Sequence, residues 1–144
     1  MIRPLLAEDL PWVVAQEQEV FGVSLGLEHY QTLLRMESLF GYVAEDTKRT
    51  GVLVCSQNTE HVQIENLFVL SSARRQGVAT QLLQALMDAC DSRLIRYISL
   101  EVREQNVGAM SLYESLGFKV TKQIPNYYPD GSTALLMVYE WRSQ

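Results

Sequence analysis

The stretch from Ile64 to Glu104 constrains the chain more than any other part of it. "IENLFVL" is β-rich, "SSARRQG" is a turn, "VATQLLQALMDAC" repeats apolar residues at helical spacing, and "IRYISLEVRE" is β-rich again. Val78, Leu82, Leu83, Leu86, Ala89 and Cys90 fall on one side of that helix. A strand, a helix and a second strand in succession imply a parallel pair, because a crossover helix returns the chain to the same edge.

Around this unit the signals are antiparallel. "FGYVAED" and "GVLVCSQ" flank the polar turn "TKRTG", and "FKVTKQI" and "ALLMVYEW" flank "PNYYPDGST", which is dense in turn formers. "MIRPLL" is an opening strand, followed by a helix over "AEDLPWVVAQEQEVF" with Leu10, Val13, Val14, Ala15 and Phe21 on its buried side. A second helix is expected over "LEHYQTLLRM". Asn106 caps a short helix "VGAMSLYESLG", whose Ala109, Leu112 and Leu116 face inward and whose Gly117 suits a left-handed stop. The expected class is α/β (α+β): a mixed, mostly antiparallel twisted sheet with one parallel pair and helices packed on it. A length of 144 residues with no repeat or linker suits a single domain, 1–144.

The turn before the central helix carries chemistry. A helix start exposes unpaired N–H groups and partial positive charge, so Arg74 and Arg75 are misplaced there unless something negative sits among them. Backbone N–H groups from Gln76 through Thr80 form a ready anion site, Gly77 and Ala79 are small, and the arginines suit a ligand with several phosphates. A diphosphate satisfies all of these groups, and a solvated basic turn is the plain alternative. Neither G-x-x-x-x-G-K-[ST] nor G-x-G-x-x-G is present.

Composition removes other classes. A net charge of −5 argues against direct nucleic-acid binding, which needs a basic face. The two cysteines, Cys55 and Cys90, both sit in apolar runs, and His29 and His61 are isolated, so neither a disulfide nor a metal site is expected. The N-terminus lacks a signal-peptide core and no run reaches membrane-spanning length, so a cytoplasmic protein is expected.

Arg74-Arg75-Gln76-Gly77-Val78-Ala79 at a strand-to-helix junction resembles the acetyl-coenzyme A motif [RQ]-x-x-G-x-[GA] of the GNAT acetyltransferases. The "Y-x-x-x-G-F" ending of "SLEVREQNVGAMSLYESLGF", one βα unit later, adds to the likeness. "LEVR", Asn106, "LYESLGF" and "NYYPDG" are similar in particular to the RimI type, N-terminal alanine acetyltransferases that act on a small-subunit ribosomal protein. The likeness runs roughly from Ile64 to Tyr139. The Pro-Trp that follows the first helix in that group is replaced here by "VFGVSLG", in the loop expected to face the substrate.

The resemblance implies a GNAT fold, with the strands "IENLFVL" and "ISLEVR" splayed apart and helices on both faces. Acetyl-CoA would lie in the gap as co-substrate, with no metal. Leu67, Phe68 and Val69 would offer main-chain partners to the pantetheine arm, and Arg74, Arg75, Gln76, Gly77, Val78, Ala79 and Thr80 would hold the diphosphate. Asn106 would touch the cofactor further along. Glu101 is the expected base, Glu65 its rival and a substrate contact, and Tyr113 the expected acid. Tyr113 is placed at the margin of its helix's buried side, while Tyr127 and Tyr128 would wall the amine entrance. The expected partner is a peptide or protein N-terminus, with a ribosomal protein as the candidate the resemblance implies. Lysine or small-amine acetylation and a non-catalytic acyl-CoA-binding module are the alternatives.

Overall fold

The computed structural model describes residues 1–141. Its elements are β1 (Ile2–Pro4), α1 (Leu10–Phe21), α2 (Leu27–Arg35), β2 (Leu39–Glu45), β3 (Arg49–Asn58), β4 (His61–Val69), α3 (Val78–Ser92), β5 (Tyr97–Arg103), α4 (Val107–Ser115), β6 (Lys119–Ile124) and β7 (Ala134–Glu140). Short 3-10 turns precede α1 and α3. The seven strands form one sheet in the order β1-β2-β3-β4-β5-β7-β6, antiparallel throughout except where β4 meets β5. The mixed sheet with one parallel pair is as the sequence implies.

That parallel pair is short. Only His61, Val62 and Gln63 pair with Tyr97, Ile98 and Ser99; from Ile64 onward β4 keeps β3 as its partner, and from Leu100 onward β5 keeps β7. The divergence starts beside a β-bulge. Val54 pairs with Asn66 but Cys55 pairs with Ile64, so Glu65 is an extra residue on β4. The insertion reverses the alternation of side chains. Val62 and Ile64 point to one face before it, and Leu67 and Val69 point to that same face after it.

Each face is covered by its own helices. α3 and α4 lie over Leu53, Cys55, Val62, Ile98, Leu100 and Val102, together with Leu82, Leu83 and Leu86 of α3 itself. α1 and α2 lie over Val43, Val52, Val54 and Phe68, contributing Leu10, Val13 and Tyr30. Helices on both faces are thus present.

Several local expectations need correction. The first helix opens as a 3-10 turn, Ala7–Asp9, because Asp9 is fully buried and bonded by Arg3 and Arg49, which ties β1 and β3 to the helix start. Ala15 and Phe21 are exposed rather than buried. The position expected from spacing after Leu10 and Val13 is taken by Glu17, which is 1% exposed and satisfied by three donors. Strand β3 begins at Arg49, inside the expected turn. Gly117 does adopt the left-handed stop, φ 102°, and a Cβ there would stand 2.9 Å from the Tyr139 ring.

Candidate active site

The strand-to-helix junction is shaped by two left-handed residues in the turn before α3, Arg75 at φ 64° and Gly77 at φ 75°. For arginine this conformation costs on the order of 1 kcal/mol. A Cβ on Gly77 would meet nothing of the protein within 4 Å, so the glycine is required by its φ, and the space beside it is open. No side chain caps α3. The first N–H groups of that helix therefore stay available at a hollow lined by Val69, Ala73, Arg74, Arg75, Gly77, Val78, Ala79 and Thr80. Arg74 is itself anchored there, its Nε donating to the Val69 carbonyl at 3.1 Å.

The hollow continues into a cleft of about 240 Å³ lined by Val20, Phe21, Leu67, Phe68, Val69, Arg74, Ala79, Ala109, Leu112 and Tyr113. Its floor is the unpaired edge of β4. Leu70 donates to Thr50 across the β3–β4 ladder, and by alternation Phe68 is the next residue to face β3. The amides of Leu67 and Val69 consequently face the gap. The Val69 carbonyl is held by Arg74, and the Leu67 N–H is held by Asn66 Oδ1 at 2.8 Å.

Tyr113 is a core residue, more buried than Ala109, Leu112 and Leu116, which corrects its expected place at the margin. Its ring packs on Phe118 at 5.7 Å between centroids. Among the described residues nothing bonds its hydroxyl, yet no buried side-chain oxygen is left without a partner, so that oxygen touches the open cleft. Burial lifts the phenol to about 12. It is neutral and a donor at any ordinary pH.

The other group of expected residues lies on the opposite face. Leu100 and Val102 join the core beneath α3 and α4, so Glu101 between them points through to the side of α1 and α2. There burial raises its pKa, the nearby Glu65 carboxylate raises it further, and the Gln63 amide, 3.3 Å away, opposes both. Glu65 accepts from Ser56 at 2.8 Å and stands 3.2 Å from His29 Nε2. Tyr127 and Tyr128 form an edge-to-face pair, centroids 4.9 Å apart, in the β6–β7 loop. Burial raises both phenols, and the charge of Glu101 adds to the shift of each, so this loop overhangs the acids. Arg103 stacks over Tyr128 at 4.1 Å and pairs with Asp130 at 2.9 Å, which fixes the loop.

Two of the expected residues stand apart from both groups. Gln76 and Asn106 are exposed and line neither hollow. Asn106 Oδ1 accepts from the Ala109 N–H at 3.1 Å, as an N-cap does. Among the described residues there is no cluster of three or more metal-ligating side chains, and no helix is long and apolar enough to cross a membrane.

The acetyltransferase (GNAT) family's sequence model matches residues 3–118. The chain belongs to the GNAT family. It is accordingly an acetyl-CoA-dependent acetyltransferase. It is 42% identical over 128 residues to the [ribosomal protein bS18]-alanine N-acetyltransferase of Escherichia coli, covering 89% of this chain and 86% of that one. N-alpha-acetyltransferase 30 of Schizosaccharomyces pombe is 38% identical over 101 residues, 66% of this chain and 67% of its own. The crystal structure of the ribosomal-protein-S18-alanine N-acetyltransferase from E. coli superposes with a TM-score of 0.88 over 100% of this chain and 95% of that chain, at 27% identity. The NatC complex bound to Gag peptide and CoA shares the GNAT fold, with a TM-score of 0.87 over 99% of this chain and 98% of that chain, at 20% identity.

Sequence reasoning missed two residues beside this cleft, Glu17 and Asn66, and the placement of a third, Glu65. Glu65 was singled out for its carboxylate alone, although the adjacent polar pair Glu65-Asn66 breaks the alternation of Val62-Gln63-Ile64 and is the local sign of an inserted residue. Glu17 and Asn66 are 49 positions apart and meet at 2.6 Å. The acid at an apolar spacing position of α1 was the available clue.

Proposed function

We propose that this acetyltransferase modifies the α-amine of a protein N-terminus, with an N-terminal alanine of a ribosomal protein as its leading acceptor, and that residues 1–144 work as one catalytic domain. The observation that carries this reading is the opened β4–β5 gap, which has free main-chain donors and an anion hollow on one face and an acid pair on the other. The names of the relatives support the acceptor class.

The residues fit acetyl-CoA. Uncapped N–H groups at the start of α3, with Arg74 and Arg75 beside them, suit a diphosphate, and the strand edge at Leu67 and Val69 suits the amides of an extended pantetheine arm, whereas Phe68, expected to share that role, turns its main chain to β3 and only lines the cleft. When bound, the co-substrate supplies an activated acetyl thioester. Everything else falls to the chain's own groups.

Glu101 takes the proton of the incoming ammonium, through water, and its raised pKa makes it a better base near neutral pH than an ordinary carboxylate. Glu65 adds negative charge that attracts the amine. An α-amine near ~8 needs less help than a lysine near ~10.4, which matches a base of this modest strength. Tyr113, on the far face of the gap, gives its proton to the departing sulfur. From a phenol at about 12 to a thiol near ~8.5 the transfer is uphill by about 5 kcal/mol. The burial that lifts the phenol also lifts a thiolate in the same apolar cleft, which narrows that difference. Tyr127 and Tyr128 flank the amine's approach.

The test is turnover with acetyl-CoA and a peptide panel, followed by thiol release and mass shift. Products confined to free N-termini, alanine first among them, are expected. Modification of lysine side chains or polyamines in peptides with blocked N-termini would overturn the acceptor class. Tight acetyl-CoA binding with no product on any amine would overturn catalysis.

A further inference from the structure

Glu17 is a carboxylate sealed inside the protein, 1% exposed, at a junction of four parts of the chain. It sits on α1 and accepts from Ser24 Oγ in the α1–α2 loop, from the Tyr30 hydroxyl on α2, and from Asn66 Nδ2 on β4 at 2.6 Å. None of the functions assigned above uses it.

Its chemistry decides how Asn66 is oriented. A carboxylate only accepts hydrogen bonds, so the Asn66 carboxamide must turn its NH2 end toward Glu17. Its oxygen is then directed the other way, onto the Leu67 N–H at 2.8 Å. Leu67 is the first residue past the bulge whose amide faces the gap, and it lines the cleft together with Tyr113. Of the two cleft-lining residues whose amides face the gap, Leu67 has its N–H held by a neighbouring side chain.

We propose that Glu17 and Asn66 form a lock on the Leu67 amide: Glu17 is a positioning residue that fixes the Asn66 carboxamide, and the Asn66 oxygen holds the N–H until an acyl carbonyl takes its place. This rests on the reading of the cleft as the acetyl-CoA site. The carboxamide is charge-neutral and loses only one hydrogen bond when displaced, so the lock delays no chemistry on its own but discriminates between ligands with and without an acyl oxygen. Through Ser24 and Tyr30, the same carboxylate ties the lock to the loop that follows Val20 and Phe21, the last residues of α1 and two walls of the cleft.

The experiment is amide NMR on the full chain, free and with CoA or acetyl-CoA, combined with calorimetry. In the free protein, Asn66→Ala is expected to raise the exchange rate of the Leu67 N–H at least tenfold and to leave core amides such as Leu83 and Ile98 unchanged. Glu17→Gln, whose side chain can present an NH2 of its own, is expected to give a smaller rise at the same amide. The Leu67 proton is expected to shift further with acetyl-CoA than with CoA, whose pantetheine arm reaches the same strand edge but brings no acyl oxygen. Asn66→Ala should raise the preference for acetyl-CoA over CoA about fivefold, since the carbonyl no longer displaces a hydrogen bond of ordinary strength. Leu67 exchange unchanged in Asn66→Ala, or a Leu67 resonance identical with both ligands while Gly77 to Thr80 move, overturns the lock and spares the cofactor site. Gly77 to Thr80 unmoved by either ligand overturns the site and the lock together.

Discussion

The two faces of the β4–β5 gap are built from different materials. On the side of α3 and α4 the donors are main chain, namely the uncapped start of α3 and the free edge of β4, and the walls are apolar. On the side of α1 and α2 the chemistry belongs to side chains: Glu65, Glu101, His29 and the two tyrosines of the β6–β7 loop. Main-chain donors are fixed by the fold and suit a ligand that never changes. Side chains can be exchanged one by one, so on the proposed function the second face is where acceptor choice can vary without loss of the first.

This contrast can be broken most directly at Gly77. Aspartate tolerates a φ of 75° better than most residues, so Gly77→Asp should preserve the turn and place a negative charge in the anion hollow. Acetyl-CoA affinity measured by calorimetry is expected to fall about 100-fold, equivalent to roughly 3 kcal/mol. An unchanged dissociation constant would mean that the junction is not the diphosphate site. An effect of similar size, on rate instead of affinity, is expected from Tyr113→Phe, which keeps the core packing and removes only the hydroxyl. Turnover should drop by about two orders of magnitude while acetyl-CoA affinity stays within about threefold. A parallel loss of both would make Tyr113 a cofactor contact instead of an acid.

Glu101→Gln gives the smallest of the three effects and the sharpest pH signature. Its pKa is raised, so the wild-type side chain is an active base only above that value, and the amine needs a base only below its own pKa near ~8. The ratio of wild-type to variant turnover should be about tenfold between those limits. It should shrink toward one as pH rises past the amine's pKa, and also as pH falls and Glu101 becomes protonated. A ratio independent of pH would remove Glu101 from the proton path and leave Glu65 in its place.

The same contrast explains what was legible in the sequence. The strand order, the crossover helix and the junction are written in contiguous residues, because each depends on local periodicity or on a few adjacent backbone positions such as Arg75 and Gly77. The other face was legible only as a collection of candidates. The polar pair Glu65-Asn66 is the one local trace of the insertion, and nothing local shows that Gln63 restrains Glu101 across the parallel pair. Ala15 and Phe21 were misplaced because α1 turns a carboxylate inward, a choice made by Ser24, Tyr30 and Asn66 from elsewhere in the chain. Tyr113 was misjudged for a related reason: Phe118, five residues later, packs on its ring and draws it into the core.

The extra residue at position 65 makes the length of β4 a functional quantity. Removing its codon would leave Asn66 and every later side chain on its present surface with its present partner on β3, and would erase only the insertion beside which β4 parts from β5, giving the two strands the chance to zip together along their full extent. Turn segments such as Asp46 to Lys48 face no such arithmetic. In a library of single-codon deletions, loss of acetyl transfer with retained solubility should therefore concentrate between Ile64 and Leu67.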